Sequence, residues 1–493
     1  MDYSQKNSIP NYLLTMLSEE YGKSMIIKGK PGAGKTTFAL QILENFMGKR
    51  NLVLLSTRIG DESLYGQFPW LKKYEEKIKI LISSELFLAE IYKIDEDLKK
   101  SAAKLIISEF IKKRYVSRFF YKNIFKEKNS PELLKIYTEI ESNLPNKSLV
   151  VIDSLEGLSN YLKVPENTLV YMIQKDIVET SDSDIIYVSE KIDPSQEDFI
   201  VDAVISMDSS TDEERIFRKI ILNKLRGKNI SFPVYPFTLS NGHLHIFSNI
   251  ELLNDFHDFK IIPFKEGYFS SGIKQLDDLL GGGFSIGSLV NIEVDKEVPI
   301  DKLRIIRNPL FINAIMQGKG INHTPAPGLS FLDIKNMLKK YTDEESFHKY
   351  YINIDYTTSK SLDKNHIALG NMDTEKAYEI DKEATEEFSR KNTITISWVH
   401  YDILEYFYGP DRVLKILFDM LSMKRDINAN TIALTKPGQK ISTEITHISD
   451  YKFKLTTKDN VIFIYGIKPF TKYYSIEIDD EKGYPNIKLI PVT

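Results

Sequence analysis

The sequence predicts an α/β fold in two tandem lobes, each a mostly parallel sheet flanked by helices, with the second lobe degenerate. Three observations carry this expectation. A glycine-rich loop follows an apolar strand and opens a helix within residues 24–46, a second apolar strand ends in Asp153, and residues 271–290 restart the chain with a new turn-and-strand entry. The 493 residues exceed one ordinary core and correspond to two or three domains. Hydrophobic residues at 42% and charged residues at 27% exclude a disordered chain. Lys+Arg 65 against Asp+Glu 69 leaves a net charge of −4, which argues against a surface built throughout for nucleic acid. With no cysteine, disulfides, thiolate zinc sites and cysteine nucleophiles are excluded. Met1 to Pro10 is polar, and no apolar run approaches the ~20 residues of a membrane span, so a soluble cytoplasmic protein with no membrane partner is expected.

Ser24-Met25-Ile26-Ile27 reads as a buried strand. It leads into Gly29-Lys30-Pro31-Gly32-Ala33-Gly34-Lys35-Thr36-Thr37, which fits the Walker A pattern without mismatch. Phe38, Ile42 and Phe46 keep helical spacing behind it, and Gly48 stands where a C-terminal cap is expected. Glycines let the backbone wrap phosphate oxygens, and their N–H groups form an anion nest at a helix N-terminus. The expected ligands are ATP and Mg²⁺, with Lys35 on the β- and γ-phosphates and the Thr36 hydroxyl on the metal. The strand Leu149 to Ile152 ends in Asp153, at the carboxyl edge where ligands of parallel sheets bind, and Asp153 is the expected second metal residue.

Phe217 to Gly227, with its Lys224-Leu225-Arg226-Gly227 ending, is followed by Tyr235-Pro236-Phe237 and Asn241 to Phe247. Together with Ser189-Glu190-Lys191 after the strand Asp184 to Val188, this series resembles the KaiC-like branch of the RecA superfamily. The resemblance implies a homo-oligomer or ring in which Lys224 and Arg226 act in trans on a neighbour's nucleotide. Ser56-Thr57-Arg58 and Ser63-Leu64-Tyr65-Gly66-Gln67-Phe68-Pro69-Trp70 narrow the match. They resemble the archaeal GvpD-type P-loop family, over at least residues 9–250. That likeness implies a regulator of gas vesicle genes acting on a protein partner, a transcription regulator. KaiC-like ATPases carry paired glutamates where this chain has Arg58-Ile59. Losing the water-activating carboxylate implies slow or no hydrolysis, with Asp61, Glu62 or Glu156 as the stand-in base.

Ser271 to Val290 resembles the entry of a second KaiC-type domain, but its triple glycine, Gly281-Gly282-Gly283, precedes the strand instead of following it. Aligned on Leu289 to Glu293, Gly29 meets Val294, Gly32 meets Glu297, Gly34 meets Pro299, Lys35 meets Ile300 and Thr36 meets Asp301. An acid and a proline would repel phosphate and remove a donor. The strand Thr393 to Trp398 has no acid at its end, Asp402 coming four residues later, and Lys468-Pro469-Phe470 matches the Lys-x-Arg-Gly ending poorly. The expected domains are 1–250, a junction at 251–266, and a pseudo-ATPase at 267–493. His323-Thr324-Pro325-Ala326-Pro327-Gly328 reads as a surface turn, and the His243/His245 pair as structural strand residues. Residues 98–128 hold ten Lys/Arg against two acids, interleaved with aromatics, and read as an inserted basic arm able to meet nucleic acid or an acidic partner. The favoured function is a nucleotide-dependent regulatory switch acting on a protein; the alternatives are a RecA-like ATPase moving on DNA and a signalling autokinase.

Overall fold

The computed structural model describes residues 9–57, 61–82, 131–250, 256–370, 372–426 and 429–493. The basic arm at 98–128 and the Arg58-Ile59 pair lie outside the described residues, as does the side chain of Asp61. The chain divides into two compact units, one of residues 1–247 with Thr493 and one of 248–492. No helix among the described residues is long and apolar enough to cross a membrane.

The first unit is built on strands β1 (Ser24–Gly29), β2 (Asn51–Ser56), β3 (Ile78–Ile82), β4 (Ser148–Asp153), β5 (Asp184–Ser189), β6 (Ala203–Asp212), β7 (Arg215–Leu225), β8 (Val234–Thr238) and β9 (His245–Ile246). They form one nine-stranded sheet in the order β3-β2-β4-β5-β1-β6-β7-β8-β9. β1 to β6 pair in parallel, and the hairpins from β6 onward are antiparallel. Strands buried on both faces must be apolar at consecutive positions, which is why Met25-Ile26-Ile27 and Leu149 to Ile152 are unbroken apolar runs. Alternate residues serve opposite faces. Met25, Ile27, Leu149 and Val151 pack with Phe38 and Ile42 of the helix Lys35–Asn45, while Ile26, Val150 and Ile152 pack with Leu158, Leu169 and Ile173 of the two helices behind β4.

In the second unit β10 (Tyr268–Phe269) and β11 (Phe284–Ser285) form a small antiparallel ribbon at the entry. β12 (Leu289–Val294), β13 (Gly320–Thr324), β14 (Tyr351–Asp355), β15 (His366–Ala368), β16 (Thr395–His400), β17 (Ala429–Thr435), β18 (Tyr451–Lys458), β19 (Val461–Lys468), β20 (Tyr474–Ile478) and β21 (Ile487–Pro491) follow. Their order is β15-β14-β13-β16-β17-β12-β18-β19-β20-β21. Set β12 against β1 and the order repeats that of the first sheet strand for strand, with β15 added at one edge. The second unit is therefore an α/β lobe of the same topology, as the sequence predicts.

Two expectations need correction. His323 and Thr324 belong to β13 and, with Pro325 and Ala326, are buried; only Pro327 and Gly328 of that stretch are exposed. The turn-rich composition hid a central strand whose His323 Nδ1 lies 2.9 Å from the Tyr351 hydroxyl, while its Nε2 is buried without a hydrogen bond among the described residues. The pair His243/His245 does not share a strand either. His245 is in β9, whereas His243 lies outside it with its ring 4.6 Å from that of Trp70.

Candidate functional site: the phosphate loop at the end of β1

β1 delivers the chain into the loop 29–34, and the helix Lys35–Asn45 begins at once. Gly29 approaches the neighbouring strand so closely that a Cβ there would lie 2.3 Å from the Met207 carbonyl oxygen. Gly34, at φ 98°, takes a backbone conformation L-residues avoid and caps the helix. Lys35 is buried at 7% exposure, and its ammonium donates to the carbonyls of Gly29 (2.7 Å) and Lys30 (2.9 Å). The lysine thus lies curled within the loop it is expected to serve. Pro31 and Gly32 are exposed at the loop tip, Ala33 is buried, and Thr37 is buried one turn into the helix.

β4 sets Asp153 at its carboxyl end, and the Thr36 hydroxyl donates to Asp153 Oδ2 at 2.6 Å. The two residues expected to hold a metal, 117 positions apart, are thereby in contact. Thr57, at the end of β2, braces this edge: its N–H donates to the Asp153 carbonyl (2.8 Å), and its hydroxyl accepts from Ser154 N–H (2.9 Å).

Glu156 is turned to a different partner. Its Oε1 accepts from the Ser189 hydroxyl and from Glu190 N–H (2.9 Å), at the end of β5, while its Oε2 is buried without a hydrogen bond. Lys224 and Arg226 grip a segment of their own lobe. The half-buried Lys224 donates to the carbonyls of Asp198 (2.7 Å) and Val201 (2.7 Å), and burial lowers its pKa. Arg226 pairs with Asp202 (3.1 Å) and reaches the carbonyls of Phe199 and Ile200. The structure therefore joins Lys35, Thr36 and Asp153, and gives Glu156, Lys224 and Arg226 partners away from the loop. One neighbour has no signature in the sequence. Arg218, on β7, donates to the Gly32 carbonyl at 2.9 Å, and burial lowers its pKa. Its 186-residue separation from Gly32 leaves no local pattern to read.

The family model described as "GvpD gas vesicle protein, P-loop domain" matches residues 13–223, which span β1 to most of β7 and include the whole loop and Asp153. The first lobe of the chain is similar to the GvpD-type P-loop domain. The chain's likeness to curated GvpD proteins runs through both lobes. Protein GvpD1 of Halobacterium salinarum is 22% identical over 558 residues, covering 99% of this chain and 97% of the relative. Protein GvpD2 of the same organism is 23% identical over 517 residues, covering 97% and 95%. The GvpD P-loop makes the first lobe a nucleotide-binding domain, and the loop geometry suits that chemistry, since backbone donors converge where a helix N-terminus favours anions.

Proposed function

We propose that the first lobe binds ATP with Mg²⁺ and acts as a slow regulatory switch whose state a partner protein reads. The observation that carries this reading is the Thr36–Asp153 contact beside the buried Lys35. It gathers two oxygen donors of the kind a hard divalent cation takes next to a loop built for anions. Thr36 and Asp153 would hold the metal, and Lys35 with the backbone N–H groups of the loop other than Pro31, which has none, would hold the phosphates. Bound Mg²⁺ supplies charge neutralisation at the phosphate oxygens. Lys35 would exchange two carbonyl partners for phosphate oxygens, a charge-assisted and therefore stronger bond.

Slow turnover is supported by Arg58-Ile59 in place of paired glutamates and by Glu156, whose bonded oxygen is committed to Ser189 and Glu190. A general base needs an accessible lone pair within reach of the attacking water. The GvpD relationship supports a role in gas vesicle regulation and a protein partner. Lys224 and Arg226 would serve a neighbouring subunit only after releasing the 198–202 carbonyls, which makes any assistance dependent on assembly.

Calorimetry of ATP·Mg²⁺ binding tests the reading. Lys35→Ala should weaken affinity by about tenfold or more, on the order of 1.4 kcal/mol. Equal affinities in the two proteins would remove the assignment. The wild-type hydrolysis rate should stay well below ~1 s⁻¹, with or without single-stranded DNA, since unassisted sites run far slower than kinases. Fast, DNA-stimulated turnover would favour the motor alternative.

A further inference from the structure

The second lobe keeps a crevice where the first has its phosphate loop. Sheet register proves the equivalence. Ile27 pairs with Val188, which pairs with Asp153; in the second lobe Ile292 pairs with Leu434, which pairs with His400. His400 thus occupies the Asp153 position, and the chain leaving β12 at Val294 occupies that of the phosphate loop. Between them lies a cavity of about 550 Å³, opening outside the carboxyl ends of β12, β16 and β17. Ligands of parallel sheets enter at this edge, and a volume of ~300–1,000 Å³ is usual for small-molecule sites.

The lining has gained three carboxylates, Asp295, Glu297 and Asp402, beside two lysines, Lys296 and Lys436. Asp295 stands where the first lobe has Lys30, Glu297 replaces Gly32, and Ile300 replaces Lys35. The Asp295 carboxylate makes no hydrogen bond or ion pair with the described residues, and Glu297 pairs with the solvent-facing Lys296 at 3.6 Å. His400 is buried, and its Nε2 accepts from the Trp398 indole N–H at 3.4 Å, so its remaining proton sits on Nδ1, 3.8 Å from Asp402. Burial pushes the His400 pKa down, which keeps the ring neutral. Asp402 is ion-paired with Lys436; burial alone would raise its pKa, but the His400 and Lys436 contacts hold it at about 2. The crevice therefore presents one carboxylate without a partner among the described residues, Asp295, two carboxylates paired with the lining Lys296 and Lys436, and a neutral imidazole, among the apolar side chains of Val294, Val298, Leu303 and Leu434.

We infer that this crevice binds a small organic cation, an ammonium or guanidinium group on an apolar body, with the charge met first by Asp295 and, beside its Lys436 partner, by Asp402. Phosphate is refused by the same carboxylates. A cation gains from them, and its apolar part gains from leaving water. Every residue lining the site lies in the second lobe.

The test uses the full chain and three probes that share one ring but differ in head group: phenethylammonium, 2-phenylethanol and 3-phenylpropionate. In calorimetry the ammonium should bind about tenfold or more tighter than either of the others, unaffected by saturating ATP·Mg²⁺ and weakened by salt. Asp295→Asn should lower ammonium affinity by about tenfold while leaving the thermal unfolding midpoint unchanged, because that carboxylate has no internal partner. Asp402→Asn should act likewise on affinity but also loosen Lys436, so Asp295→Asn is the cleaner variant. No measurable ammonium binding, equal binding of the neutral or anionic probe, or an Asp295→Asn protein that binds as well as wild type would each overturn the inference.

Discussion

Gly29 and Gly32 are two loop glycines with different physical demands. A methyl at Gly29 meets the Met207 carbonyl at 2.3 Å, whereas at Gly32 it enters open space and only the φ of 78° resists it. Gly32→Ala should therefore cost ~1–2 kcal/mol of stability, the ordinary left-handed penalty. Gly29→Ala should cost more, because β1 must move away from β6, and it should lose ATP binding as well. Urea unfolding of the two variants checks the order. Thr36 offers a second test at this scale. Thr36→Val removes the donor to Asp153 Oδ2 and one proposed metal ligand but leaves the anion nest intact. ATP should then bind almost equally well with and without Mg²⁺, where the wild-type protein should bind better with it. A full Mg²⁺ dependence retained in Thr36→Val would remove the hydroxyl from the metal site.

The segment between β5 and β6 is held from two sides, and the two grips have unequal worth. From β1, the buried Lys28 pairs with Asp198 at 2.7 Å and donates to the Asp193 carbonyl and the Ser195 hydroxyl. From the end of β7, Lys224 and the exposed Arg226 hold residues 198–202. Removing one member of a buried pair leaves an uncompensated charge, so Lys28→Met should destabilise the first lobe by ~3–5 kcal/mol. Arg226→Ala, at an exposed pair, should cost only ~0–1 kcal/mol. Denaturant unfolding distinguishes them. If Arg226 acts in trans, hydrolysis per subunit should rise with protein concentration in the wild type and stay flat in Arg226→Ala, with ATP affinity preserved. A rate that climbs equally in both proteins would leave Arg226 a structural clamp.

At the scale of the molecule, one sheet topology occurs twice and only the first copy retains a phosphate loop, so the full chain should bind one nucleotide. A calorimetric stoichiometry of two would mean that the loop after β12 still accepts phosphate. The second lobe also predicts a pH dependence. Burial drives the pKa of His323 well down, with Arg307 adding to the effect, and burial lowers that of His400. Their folded pKa values lie below the unfolded value of ~6.5, so stability is full above that pH. It falls as the pH drops, because the unfolded chain takes protons that the folded lobe refuses. The thermal midpoint should therefore decrease from neutral pH toward about pH 5, and His323→Gln should flatten the slope. The sequence by itself determined the loop, the helix behind it, the strand ending in Asp153 and the loss of the second loop, because these are local patterns set by strand burial and glycine chemistry. Even the alignment of Gly29 with Val294 is the one that β1 and β12 adopt. Only the tertiary structure decided that Asp153 bonds Thr36, that Arg218 touches Gly32, that Glu156 turns to Ser189, and that His400 fills the Asp153 position. Those are contacts between residues far apart in the chain, fixed by sheet order and register, and no spacing within a single segment records them.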